Sequence, residues 1–195
     1  MDMYRAAGWG LFALAGAGAA TAAIAPLYDG PGGLALAAEL NHPVLLAVLS
    51  AVVLTGGALL RSRRADVRTA AAQVLAGAAA LGALAVPAYG LAADPFPDRE
   101  WDVAAPDGSP RRLVVERTDA LTDPVWRIYV DAGPFPTARR WPVAEYRSGP
   151  DQEWPEGVLQ AAWSDPDHIE LTDFDHTAHT VRIARDGRPL EALVW

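Results

Sequence analysis

Apolar residues run without formal charge over three long stretches, Ala6–Tyr28, Leu40–Leu60 and Thr69–Ala93. Beyond Ala93 the pattern changes to short runs in which apolar and polar residues alternate. At ~1.5 Å rise per residue, a helix over any of the three matches or exceeds a hydrocarbon core of ~30 Å. None of them shows the polar face that a soluble helix presents to water. The reading is three transmembrane helices, at about residues 6–28, 40–60 and 69–93. Asn41-His42-Pro43 marks the start of the second, since Asn caps well and Pro is tolerated in a first turn. Pro26 falls near the end of the first, and Pro87 is expected to bend the outer turn of the third.

The segment Asp94–Glu100 (DPFPDRE) reads as a short stiff linker. Strand-like runs follow at Trp101–Ala105, Arg111–Arg117, Val125–Asp131, Arg140–Arg147, Val158–Ser164, His168–Thr172, Thr180–Arg185 and Leu190–Val194. Trp126, Ile128 and Val130 share one face of their run, and Ile169, Leu171, Val181 and Ile183 point inward from a hairpin. Pro142 confines its strand to an edge or a bulge. Turn signals separate the runs: Pro106-Asp107-Gly108, Asp123-Pro124, Asp165-Pro166-Asp167 and Asp186-Gly187. The fold class expected is an α+β membrane protein. Residues 1–93 form the membrane part, and residues 94–195 form a small, mainly antiparallel β-domain, sandwich or barrel-like, of seven or eight short strands.

Charge sharpens this division. Residues 1–93 carry four acids against five arginines, and residues 94–195 carry twenty acids against eleven arginines. The basic residues of the first part are Arg5, ahead of the first span, and Arg61, Arg63, Arg64 and Arg68, between the second and third. The loop after the first span has none. The positive-inside rule then predicts a multi-pass plasma-membrane protein with a cytoplasmic N-terminus and residues 94–195 extracytoplasmic. Tyr4 and Trp9 at the inner level, with Tyr28 and Tyr89 at the outer, fit an interfacial belt. The first apolar run exceeds a signal-peptide core, so it is read as an uncleaved signal-anchor. The spans hold no Asp, Glu, Lys or Arg, which argues against a carrier or channel working alone. Gly16, Gly18, Ala20, Gly77, Ala78 and Gly82 permit close helix packing, whether as a specific face or as a result of composition.

The acidic outer part lacks the basic footprint that nucleic acid requires. The chain has no Cys, so thiolate metal sites and disulfides are excluded. It also has no Lys, all sixteen basic residues being Arg, as in a high-GC genome. The runs PDGSPRRLVVERT and AAWSDPDHIELT carry a D-G turn, a strand and a W-S-x-x-x-x-I rhythm. In these the chain resembles small actinobacterial-type integral membrane proteins with a C-terminal extracytoplasmic β-domain of unknown function. The resemblance implies a location and no activity. Single β-propeller blades share the rhythm, but a full propeller needs more chain.

Candidate chemistry is sparse. His168, His176 and His179 lie with Asp173 and Asp175 in one acidic stretch, and imidazole with carboxylate would suit a divalent metal. The spacing matches no established metal motif. No Ser lies in a nucleophile-elbow context and no Gly-rich loop has a phosphate-binding pattern. Trp141, Tyr146 and Trp154 are the aromatic candidates for a contact surface. The leading expectation is a non-enzymatic binding or interaction module, anchored in the lipid bilayer and facing a membrane or envelope protein partner. One alternative is a metal-dependent envelope enzyme or sensor at His168, His176 and His179. Another is an accessory subunit of a transporter or envelope complex.

Overall fold

The computed structural model describes residues 2–28, 30–62, 64–94, 96–119, 124–147, 158–174 and 176–191. Three long apolar helices precede two antiparallel sheets, and the chain divides into two compact units.

The first unit comprises Met1–Leu27 and Leu40–Gly90. It is built from α1 (Asp2–Tyr28), α3 (Pro43–Arg61) and α4 (Ala65–Ala93). All three are long and apolar enough to cross a membrane. Pro43 takes the first position of α3 and His42, rather than Asn41, occupies the cap position. Both α1 and α4 continue as helix through Pro26 and Pro87. A Cβ on Gly57 would lie 3.2 Å from the Gly8 carbonyl oxygen, so α1 and α3 approach closely there. Gly18 sits against Ser50 and Gly82 against Val48, whereas Gly16 and Gly77 face open space. The hydroxyls of Thr21 and Thr55 donate to carbonyls one turn back, at Ala17 and Ala51, which satisfies them within an apolar helix.

The second unit comprises Tyr28–Glu39 and Leu91–Trp195. The short segment between the first two spans therefore packs with the sheets. It contains β1 (Gly33–Leu34) and the single helical turn α2 (Ala35–Glu39). The remaining strands are β2 (Asp98–Ala104), β3 (Arg111–Thr118), β4 (Val125–Ala132), β5 (Arg139–Arg147), β6 (Val158–Asp165), β7 (His168–Asp173) and β8 (Ala178–Arg182). One sheet has the order β1-β5-β4-β3-β2 and the other β6-β7-β8. Neither closes into a barrel.

Alternation explains the core. The register pairs Leu113 with Val130 and Val115 with Ile128, so these four share one face. On the second sheet Ile169 pairs with Val181. These residues, with Trp126, Val158, Leu171 and Ile183, form one continuous apolar core contributed by both sheets. Each such side chain contributes roughly 1.5–3 kcal/mol by leaving water. Pro142 sits opposite Tyr129 while Ala144 pairs with Ile128, leaving Val143 as the extra residue of a bulge. A residue without an N–H is tolerated there.

Three sequence expectations differ from the structure. The first outer strand begins at Asp98 rather than Trp101, which shortens the linker; β2 is an edge strand, mostly exposed, and shows no alternation to read. A strand was expected over Leu190–Val194, but Leu190 and Glu191 form bends, and the rest lies outside the described residues. The segment after the first span was read as a plain loop, yet β1 pairs with β5 through Gly33–Arg140 and Leu34–Arg139.

Candidate functional site

The histidine-rich stretch does not converge. Strand alternation places His168, paired with Arg182, on one face of the three-stranded sheet, and His179, paired with buried Leu171, on the other. His168 Nδ1 lies 2.9 Å from Asp165, its partner at the end of β6. That bond is the main reason the Asp165 carboxyl is held below the ordinary carboxylate range. His179 Nε2 lies 3.2 Å from Asp173 Oδ2. Asp173 is buried, and its other oxygen accepts the Thr177 N–H at 2.9 Å. His176 is exposed, with a positive φ of 66° at the hairpin end, and its N–H donates to the Asp173 carbonyl. Asp175 lies outside the described residues. Among the described residues no group of three or more His, Asp or Glu is arranged to hold a metal ion. One Asp173–His179 contact is therefore a hairpin closure: the carboxylate ties both ends of the turn.

The aromatic candidates are drawn into internal packing. Trp141 is half-buried, and its indole N–H donates to the Asp186 carbonyl at 3.0 Å. Its ring lies against Gly32 and Gly187, where an added Cβ would come within 2.5 and 3.2 Å of it. Tyr146 packs against the core. Trp154 lies outside the described residues. The indole N–H groups of Trp126 and Trp163 are likewise satisfied, by Glu100 at 3.0 Å and the Val103 carbonyl at 3.1 Å.

The most organised polar feature was not singled out by the sequence. It lies on the face of the five-stranded sheet away from the core. The register lines up Arg112, Asp131 and Arg140 across three strands. Arg140 is buried and meets Asp131 through two parallel bonds of 2.8 Å. Its guanidinium also reaches Glu116 at 3.4 Å and Glu39 at 3.3 Å, and lies over the Tyr129 ring. Burial opposes the Arg140 charge, but the Asp131 bonds and the charges of Asp131, Glu116 and Glu39 more than offset it and raise its pKa. Arg99 joins the same carboxylates, at 2.9 Å from Glu39 and 3.2 Å from Glu116. Its pKa is raised too: burial opposes its charge, and the Glu39 hydrogen bond leads the interactions that outweigh it. Five groups from five separate elements, α2, β2, β3, β4 and β5, thus form one network, with Glu39 bringing in the segment between the first two spans.

Beside this network lies a cleft of about 350 Å³. Leu36, Phe135 and Pro136 give it apolar walls, and Glu39, Arg112 and Asp131 give it charged edges. Phe135 is strongly exposed on the β4–β5 hairpin. The volume falls in the range of small-ligand pockets, roughly 300–1,000 Å³. At one rim the Ser109 hydroxyl accepts Arg111 Nε at 2.8 Å, and Asp107 accepts Arg111 Nη2 at 2.9 Å. The Asp107 carboxyl is lowered to about 2, first by the Ser109 hydroxyl, then by the Ser109 N–H and by Arg111. The arrangement can recognise an apolar group flanked by charge. The signal that could have found it is the placement of Arg140 inside a strand beside apolar neighbours, which demands a buried counter-charge. Its partners lie too far away in sequence to be named.

No protein-family model, curated protein or solved structure matches this chain.

Proposed function

We propose that this protein is a membrane-anchored binding module, non-enzymatic, whose β-domain faces the extracytoplasmic side and contacts a membrane or envelope protein. The observation that carries this reading is the pairing of β1 with β5. It builds the segment between the first two spans into the sheet, so the anchor and the domain are joined by three chain passages. Such pairing requires Tyr28–Glu39 and the C-terminal domain to share one side of the membrane. Three crossings satisfy that requirement, and the Arg61–Arg68 connection then falls on the opposite side, as the positive-inside rule demands. The cleft beside Phe135 and Arg112 is the contact surface we assign, because it combines an exposed aromatic anchor with a charged rim.

Two experiments test this. The chain is free of Cys, so single-cysteine variants report sidedness directly. Ser109→Cys should react with an impermeant maleimide on intact cells, and Ser62→Cys only after permeabilisation; the reverse pattern would sink the orientation. Purification of the full chain from native membranes in mild detergent should retain a stoichiometric protein. Phe135→Ala and Arg112→Glu should release it without unfolding the domain. Retention of the same protein by both variants, with loss only when span residues are changed, would favour an accessory subunit joined through its helices.

A further inference from the structure

The two units treat their arginines differently. Among the described residues, seven arginines of the sheet unit have a carboxylate within 4 Å. Arg61, Arg64 and Arg68 are exposed, and among the described residues no carboxylate comes that close to any of them. They stand where α3 ends and α4 begins, and Arg63 adds a fourth cation to the same eight positions of sequence. The Arg68 N–H donates to the Arg64 carbonyl, which places these two like charges one helical turn apart, an arrangement that costs energy when unneutralised.

Two further features act on the same patch. The Arg61 guanidinium lies 4.0 Å from the centroid of the Trp9 ring, contributed by α1. That cation–π contact fixes the charge beside a side chain suited to the membrane interface. The first turn of α4, a 29-residue helix, adds the positive end of its dipole and also carries Asp66, so the four cations of positions 61–68 stand against one acid. Guanidinium groups bind phosphate oxygens in bidentate fashion, and a phosphodiester between glycerol units would lie at this depth.

We propose that Arg61, Arg64 and Arg68, with Trp9, form a binding site for the headgroup of an anionic phospholipid. The site lies on the three-helix unit and does not depend on the β-domain's partner or on which side the domain faces.

The test uses the full chain reconstituted in phosphatidylcholine vesicles with trace spin-labelled phosphatidylglycerol or spin-labelled phosphatidylcholine. The fraction of motionally restricted lipid gives their relative association. Phosphatidylglycerol should be favoured at least about fivefold at low salt, the factor that one interfacial arginine supplies. The preference should collapse in ~1 M salt, where the Debye length is about 3 Å. Ser62→Glu sets a carboxylate among the guanidinium groups and should abolish most of the preference; added acids disturb topology little. Exchanging Arg61, Arg64 and Arg68 together for Lys should weaken the preference without abolishing it, because the charge remains but the bidentate fork and the Trp9 stacking are lost. Equal association of both lipids, a preference that survives Ser62→Glu, or one that moves instead with Arg188→Glu in the sheet unit would overturn the proposal. So would full displacement by millimolar inorganic phosphate, which would mark a site for soluble anions.

Discussion

The helical unit and the sheet unit solve the same problem in opposite ways. In the helices, only 11%, 11% and 0% of the three spanning windows are buried. The helix bonds its own backbone, so its sides are free to face an apolar solvent. The sheets leave backbone groups for neighbours and bury one shared apolar face, with Leu113, Val115, Ile169 and Val181 all fully enclosed. Glycine divides along the same line. Gly57 and Gly18 let helices approach, while Gly32, at φ 73°, and Gly187, at φ 88°, supply conformations that cradle Trp141. One chain is thus written for two solvents, and the same residue type has a different use in each.

Ile169→Ala should break the contrast most sharply. It opens a cavity in the shared core and should cost about 2–5 kcal/mol in urea melts followed by Trp fluorescence. Leu84→Ala, on an exposed face of α4, should leave those melts unchanged. Arg140→Met should cost about 3 kcal/mol, because Asp131 would stay largely buried beside Glu116 without its main counter-charge. A melt unchanged by this substitution would mean that the network is held by Arg99 instead. Gly32→Ala should cost about 2 kcal/mol through its positive φ and the Trp141 ring. Gly77→Ala, with open space around it, should cost nothing measurable. The smallest effect is acid lability.

Asp107 is depressed to about 2 from an ordinary 3.8, and the Glu145 carboxyl is lowered too, mainly by Arg147 and then by Arg127. Carboxyls with a depressed folded pKa contribute stability above their ordinary value and lose it as pH falls through the folded one. The sheet unit should therefore weaken progressively below about pH 4.5, read as a falling melting temperature. The long helices carry carboxylates only in their first turns, Asp2 and Asp66, so their helicity by circular dichroism should hold over the same range.

The legible parts were those whose signal is local. Hydrophobicity over twenty residues is a property of the run itself, so all three spanning helices were read with ends shifted by a few positions. Alternation likewise grouped the core residues of β4, β7 and β8, whereas no face was read for β3. What failed was anything that depends on who the neighbour is. The two-residue strand β1 has no period, and Glu39 has no local hint that Arg99 and Arg140 await it. Proximity in sequence misled in the opposite sense at His168 and His179, because one alternation step sends them to opposite faces. Trp141 was read as a contact surface because its type favours interfaces, yet its ring fills a gap that two glycines leave.

The pairing of Gly33 with Arg140 joins residues more than a hundred positions apart. A ribosome delivers β1 first, and the strand must wait while two further helices are made and inserted. On the proposed orientation, its partner arrives only once the third helix has crossed and β5 emerges in the same compartment. Closing so long a loop is slow and entropically costly, so it comes late. On the proposed orientation the completed sheet would report correct insertion: a chain that crossed once too few would leave β5 without β1 at the sheet edge.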